Sequence, residues 1–479
     1  MKKKSIFLGI VLLVILQKNF AQDTTNISGT LTLKQCVDIA LKNNIDINRS
    51  ELDMQDSKVY LTQAQGNRLP YISGTINHGL SQGRAIDPFT NSYINQNLSY
   101  ANYNLGANLY LWNAGSINNN VRASSLNFEA SKMDWQQQKD NVTIQVILAY
   151  LQVLNNQEQL NAAVQQASVT RSQVERLAVL DKDGAIAPST YYDTKGQLAS
   201  DELSIVSLKN AVETSKLDLA KLMNVNYSKD MALEKIDISS ALAIYDGTSQ
   251  QVYDQAIKNL AMIKAVDLRK ESAAKSLKAA KGQLYPSLIL NGGLGTNYSN
   301  AASVAVLKGT SDVQTDNYVN VNDEKYFLYS PQNIYDSKKI SYGDQWKNNF
   351  NSSVSIGIQI PILNGLQARS KVKQAVIQEK RSDINAKTAK TQLQQAVEQA
   401  YIDMNSAYER YQTLTSQVED LTVSFKAAEV KFNAGVLTSV DYLLIKNKAD
   451  NSNINLIAAK YDYILRTKIL DFYQGKLSL

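Results

Sequence analysis

The chain contains itself twice. Displacing it by 216 positions pairs Asp38 with Asp254, Lys42 with Lys258, Asn43 with Asn259, Ile47 with Ile263, Leu61 with Leu277, Ala64 with Ala280, Gly66 with Gly282 and Pro70 with Pro286, without a gap. Further on, a displacement of 251 pairs Asn113 with Asn364, Val121 with Val372, Tyr150 with Tyr401, Gly184 with Gly435, Tyr191 with Tyr442 and Leu219 with Leu470. Such self-similarity marks a duplicated structural unit. The two displacements differ by about 35 residues, which places an insertion in the second copy between Gly295 and Ile360. That stretch turns polar, as an exposed loop over 296–350 does. The expected division is a leader over 1–21, a first repeat over 22–249 and a second over 250–479.

Each copy reads as helix, strand, loop, strand, long helix, tight turn, helix. Leu33 to Arg68 contains no proline and no glycine before Gly66, which predicts one helix of about 50 Å. The helix from Ser116 to about Asp181 spans about 100 Å, and that from Ser189 to Met223 about 50 Å, so two short helices match one long one and are expected to stack end to end beside it. Val146, Tyr150 and Val153 recur at helical spacing, as do Val397, Tyr401 and Met404, and read as core stripes.

The strands alternate. In "SSVSIGIQIPI" Val354, Ile356, Ile358, Ile360 and Ile362 share one face against Ser353, Ser355, Gly357 and Gln359. In "YNLGANLYLW" Tyr103, Leu105, Ala107, Leu109 and Leu111 oppose Asn104, Gly106 and Asn108. A soluble sheet with one wet face gives the same pattern. The lengths suit tilted membrane crossings, and Trp112 and Tyr71 fall where an interfacial aromatic belt sits. Four strands cannot close a barrel, whose practical minimum is about eight, so several chains must contribute. In "AQGNRLPYISG" and "AKGQLYPSLIL", Pro70 and Pro286 stop a helix and start a strand, because proline lacks the N–H that continues a helix and drives the preceding residue into extended geometry. Both are expected to be helix-to-barrel junctions.

"MKKKSIFLGIVLLVILQKNFAQ" has the layout of a secretory signal: Lys2, Lys3 and Lys4, an apolar run of about ten residues, then Ala21. Its lysines carry much of the formal charge of +6. The remainder is about +2, no nucleic-acid signature. The one cysteine, Cys36, lies in a helical pattern and reads as a buried thiol, so an exported chain without disulfides must be stabilised by packing. The one histidine, His78, alternates with Ile76 and Leu80 on a strand and lacks the partners that a metal site or a triad needs. "NGGLG" precedes no helix, so it reads as strand glycines rather than a nucleotide loop. No enzymatic activity and no cofactor are expected.

The signal, the duplication, "LTLKQCVDIALKNN" echoed by "QVYDQAIKNL", the helix-to-strand prolines, "LWNAGS" echoed by "ILNGLQ", and "FNAGVLTSVDYLLIKN" together resemble the TolC-type outer-membrane efflux proteins. The resemblance covers essentially the whole mature chain. It implies a mainly α fold with a β-barrel part: long-helix hairpins forming a periplasmic α-barrel, and four transmembrane strands per chain completing the 12-stranded β-barrel of a homotrimer. It implies passive export of what an inner-membrane pump and a periplasmic adaptor deliver, with outer-membrane lipid around the strands. Residues from Asn224 to about Ser249 would join a mixed belt around the tunnel.

The turns "GAIAPS" and "GVLTSV" are then expected to be adaptor-docking tips, formed by Gly184, Ala185 and Ile186 and by Gly435, Val436 and Leu437. The glycines stand where a reversing chain needs positive φ. Asp441 matches the position of an aspartate ring around the periplasmic aperture, which would attract cations. This chain departs from the familiar pattern: Leu444 stands in place of a second acid, Leu437 in place of an arginine, and Thr190 in place of its acidic partner. A single ring is therefore expected, with closure held by apolar packing. The plainer reading of Asp441 is an acid placed at a helix N-terminus, where the dipole favours it. A periplasmic coiled-coil adaptor or structural protein is the alternative for the whole chain, though it would not need four alternating strands.

Overall fold

A computed structural model describes residues 29–86, 91–95, 97–236 and 242–476. The expected leader over 1–21 and residues 237–241 of the expected belt lie outside these residues. The first copy runs β1 (Thr30–Leu31), α1 (Leu33–Asn43), α2 (Ile45–Gly66), β2 (Tyr71–Ser81), β3 (Arg84–Ile86), β4 (Tyr93–Asn95), β5 (Leu98–Trp112), α3 (Ser116–Lys182), α4 (Pro188–Met223) and β6 (Ala232–Leu233). The second runs α5 (Ser249–Asn259), α6 (Ala261–Gly282), β7 (Ser287–Ser299), β8 (Ser303–Val321), β9 (Glu324–Lys339), α7 (Tyr342–Asn348), β10 (Asn351–Gln359), α8 (Gln367–Asn433) and α9 (Ser439–Gln474).

The duplication holds at the level of single hydrogen bonds. Thr32 and Thr248, equivalent residues, each cap a helix through a reciprocal box with Gln35 and Gln251. Arg68 N–H donates to Gln65 O and Leu69 N–H to Gly66 O; their equivalents Leu284 and Tyr285 donate to Lys281 O and Gly282 O. Pro70 and Pro286 therefore end the same tight turn, each immediately before a strand.

The helix expected from Leu33 to Arg68 is broken. Asn44 adopts φ −63°, ψ 129°, its Oδ1 accepts from Asp46 N (2.9 Å) and Ile47 N (3.3 Å), and its Nδ2 donates to Leu222 O (3.0 Å). An asparagine that offers the backbone this alternative competes with the helix. Leu260, the equivalent residue, takes φ −64°, ψ 129° with no such side chain, so the break belongs to the packing of the repeat.

Contacts divide the chain into two units. The first comprises residues up to Gln55, Ala130–Asp267 and those from Asn385 onward. One core there joins Cys36, Val37 and Ala40 to Val146, Tyr150, Val153, Leu219 and Met223; another joins Val252, Ala256 and Ile263 to Val397, Met404 and Leu470. Both expected helical stripes are thus core, except that Tyr401 is only half-buried. Burial pushes the Cys36 thiol up to about 12. β1 pairs with β6 in parallel, and the Tyr150 hydroxyl donates to Leu31 O (3.1 Å) and Glu234 O (2.7 Å), tying this strand pair to α3.

The second unit, Asp56–Glu129 and Leu268–Ile384, holds the sheet. Its four strands lie in the order β10-β7-β5-β2, all antiparallel. The register brings like side chains to one face: Ile76 opposite Tyr103, Leu105 opposite Leu294, Leu109 opposite Leu290, and Leu290 opposite Ile356. The other face carries Asn77, Asn102, Asn104, Asn108, Asn291, Ser353 and Ser355. β10 stops at Gln359, one residue before the Ile360-Pro361 step, so Ile360 and Ile362 lie beyond the strand.

The insertion is not a plain loop. Ser303 to Lys339 form an exposed antiparallel hairpin, β8 with β9, followed by α7. Its valines and tyrosines favour strand, and their interruption by Lys, Asp, Asn and Thr hides the period-two signal.

Candidate channel constriction and docking tips

Two helix reversals sit in the first unit. α3 ends with Gly184 at φ +66°, α8 with Gly435 at φ +74°. At each, two backbone bonds close the turn: Gly184 N–H to Asp181 O (3.0 Å) and Ala185 N–H to Leu180 O (2.8 Å), and likewise Gly435 to Phe432 (3.1 Å) and Val436 to Lys431 (2.9 Å). This is the Schellman arrangement, which satisfies carbonyls that the helix end leaves free. A Cβ at either glycine would meet nothing within 4 Å, so it is the positive φ that demands glycine.

The expected tip residues divide into two groups. Gly184, Ala185, Gly435 and Val436 are exposed, Val436 at 77%. The equivalent pair Ile186 and Leu437 turn inward and pack on a cluster of Leu177, Phe432 and Tyr442, together with Leu180, Tyr191, Phe425 and Leu443. Each turn thus offers a small exposed knuckle fixed by an apolar plug behind it.

Asp441 is exposed in the first turn of α9. Thr438, the N-cap, accepts from Asp441 N (3.1 Å), and its hydroxyl donates to Asp441 Oδ2 (2.7 Å). The carboxylate therefore serves the helix start, as the plainer reading expected, and remains open to solvent. Leu444 is exposed, and Thr190 is half-buried. Ser439 Oγ donates to Asp193 Oδ2 (3.0 Å), joining α9 to α4 beside the turn.

Farther along α9 lies a group that sequence reasoning missed. Lys446, 1% exposed, bonds Asp201 Oδ2 (3.1 Å) and Asp450 Oδ2 (2.5 Å). Thr170 Oγ1 donates to the same Asp201 oxygen, Gln197 Nε2 to Asp201 Oδ1, and Gln166 Nε2 to the Asp450 carbonyl. Burial raises the Asp450 carboxyl above the ordinary aspartate value; Lys446 opposes this and Asp201 adds to it. A buried cation held by two carboxylates from different helices fixes the relative register of α3, α4 and α9. The i, i+4 spacing of Lys446 and Asp450 was a signal, but it is also that of an ordinary solvated face.

Neither the geometry nor the motifs stand alone. The Vibrio cholerae outer membrane protein TolC is 22% identical over 344 residues, 71% of this chain and 69% of its own. The Brucella suis outer membrane efflux protein BepC is 20% identical over 448 residues, 92% and 84%. The crystal structure of CusC superposes with a TM-score of 0.75 at 15% identity, covering 93% of this chain and 92% of the other. A likeness of this kind does not favour a periplasmic adaptor. The family model for outer membrane efflux proteins matches residues 36–225 and again 252–475, once for each copy of the duplication, and the chain belongs to that outer-membrane efflux channel family.

Proposed function

We propose that three copies of this channel protein assemble, each adding four strands to one 12-stranded barrel, and that the trimer passively exports substrates delivered by an inner-membrane pump through a periplasmic adaptor. The observation that carries this is the sheet: one apolar face with exposed Val354 (79%), Ile356 and Ile358, and two edges, β2 and β10, that no other strand among the described residues pairs. In a bilayer every backbone group needs a partner, so such edges must be paired by further copies. Residues 22–249 and 250–479 are the two repeats of each subunit, and Pro70 and Pro286 the points where helix becomes barrel. Cross-linking of detergent-extracted protein should give three chains; a monomer in the native membrane would overturn the assembly.

Within that trimer Asp441 lines the periplasmic constriction as a single acidic ring, and the exposed knuckles at Gly184, Ala185, Gly435 and Val436 meet the adaptor, with Ile186 and Leu437 holding them in shape. The apolar cluster behind Leu437 supports closure by packing rather than by ion pairs. Single-channel recording of Asp441→Asn should show reduced cation selectivity and reduced block by trivalent cations. Unchanged selectivity and block would leave Asp441 as a helix-start residue only.

A further inference from the structure

Helix α7 lies on the apolar face of the sheet. Trp346 packs on Tyr103 (centroids 4.7 Å apart) and Tyr342 on Tyr298 (4.9 Å), and the hydroxyls of Tyr342 and Tyr103 are 2.8 Å apart. Tyr103 opposes Thr296, and Ala101 opposes Tyr298, so these partners share the face of Leu105 and Leu294. The helix is pinned there. Buried Gln345 donates to Ser299 O (2.9 Å) and Ile340 O (3.0 Å) and accepts from Ser299 N (2.8 Å). Thr296 Oγ1 donates to Trp346 O (3.0 Å), and Asn349 Nδ2 to Asn297 O (2.8 Å).

Between helix and sheet runs a groove of about 400 Å³ lined by Ile76, Tyr103, Leu105, Leu294, Trp346 and Phe350. Ile76 (74%), Trp346 and Phe350 are exposed although apolar. The groove opens off the face of β2, β5 and β7, whereas further copies would pair along the edges and leave it uncovered. Its height also fits a membrane boundary. From Trp112 to Tyr103 the strand rises about 30 Å, or about 23 Å at a tilt of about 40°, close to the apolar band of an outer-membrane barrel with an aromatic girdle at each rim. Tyr342, Trp346 and Phe350 extend the girdle at the rim remote from the helices, and an indole or phenol there keeps an apolar body in hydrocarbon and a polar tip in the interface.

We infer that α7 is a membrane-interface helix that clamps an acyl chain of an outer-membrane lipid against the barrel wall, in the groove beneath Trp346 and Phe350. This rests on reading the apolar sheet face as the lipid-facing wall. The test uses the full chain with Trp112→Phe and Trp135→Phe, leaving Trp346 as the only tryptophan and excited selectively at the red edge of the indole band, reconstituted in dioleoylphosphatidylcholine vesicles with or without chain-brominated phosphatidylcholine. A second protein carries Trp112→Phe, Trp135→Phe and Trp346→Phe with Ile356→Trp on the middle of the wall. Bromine quenches indole only near contact, so Trp346 should lose as much emission as the Ile356→Trp control and be shielded from aqueous iodide. A quenched control with Trp346 unquenched and open to iodide overturns the lipid clamp while the wall stands. An unquenched control overturns the reading of the wall and takes the clamp with it.

Discussion

Tyr442 stacks on Phe432 with ring centroids 4.4 Å apart and planes 8° from parallel, and its buried hydroxyl has no hydrogen-bond partner among the described residues. The stack joins the last turn of α8 to the first of α9, so the reversal at Gly435 is closed by aromatic packing as well as by backbone bonds. Burial, with Glu429 and Asp450 nearby, pushes the Tyr442 phenol up to about 12, and Arg176 opposes the shift. An unsatisfied hydroxyl is destabilising, and phenylalanine has the same shape without it. Tyr442→Phe should therefore raise stability by about 1 kcal/mol, and Tyr442→Ala should lower it by about 3–5 kcal/mol. Denaturant midpoints of the detergent-solubilised protein measure both.

Burial of Asp450, which outweighs the opposing Lys446, makes the helical unit's stability depend on pH in a definite direction. A carboxyl whose folded value lies above its unfolded one favours folding when protonated. The Asp450 contribution is therefore largest near and below the ordinary aspartate value of about 3.9 and is lost as pH rises through the raised folded value. Asp450→Asn should remove that part of the pH dependence, seen as a difference between the two stability profiles on the acid side. Lys446→Ala leaves the half-buried Asp201 and Asp450 without their cation and should cost about 2–3 kcal/mol near neutral pH.

What could be read from the sequence was what the chain encodes locally. Pro70 and Pro286 announce the end of a helix by their own covalent structure, and Gly184 and Gly435 announce positive φ. Alternation along β5 and β10 placed Leu105 and Ile356 on one face, as the register has them. What stayed hidden is decided by partners distant in sequence. Asn44 breaks its helix while donating to Leu222, and Leu260 breaks at the same point with no local cause. Lys446 drew no reading because nothing near it in sequence names Asp201. The hairpin from Ser303 was masked by its polar residues on both faces, and α7 by being a single short helix just after it.

Gly66 and Gly282 are equivalent in the repeat but not in their surroundings. A Cβ at Gly282 would lie 3.0 Å from both Ala114 O and Ser116 Cβ, whereas one at Gly66 would meet nothing within 4 Å. Overpacking against backbone typically costs about 1–3 kcal/mol. Gly282→Ala should destabilise by that amount, while Gly66→Ala should be neutral or gain up to about 1 kcal/mol from helix propensity. Equal effects from the two variants would mean that the close approach at Gly282 is absent in solution.

The turn before each long returning helix holds two consecutive residues at positive φ: Ala114 (49°) with Gly115 (73°), and Gly365 (60°) with Leu366 (63°). The copies have placed the glycine at different positions, so each keeps one strained residue. Left-handed geometry costs a residue with a side chain about 1–2 kcal/mol. Leu366 is also largely exposed, so little packing is lost with its side chain. Leu366→Gly should therefore stabilise the protein by about 1 kcal/mol, read from thermal unfolding, whereas Gly115→Leu should lower stability by a similar amount.

The last expectation separates docking from support at the tip. Val436 projects into solvent, so an acid there disturbs no packing, yet it would place a charge on any partner surface built to receive a small apolar knuckle. Leu437, one residue on, packs on the Leu177, Phe432 and Tyr442 cluster, and truncating it removes buried apolar area worth about 1 kcal/mol. Val436→Asp should leave assembly and protease resistance at wild-type level while abolishing export and capture by the cognate adaptor. Leu437→Ala should loosen the reversal itself, seen as faster proteolysis between Lys431 and Thr438, with only a partial loss of export. Export retained by Val436→Asp but lost with Leu437→Ala would assign the partner contact to the plug rather than the knuckle, reversing the division that the burial of these two neighbours defines.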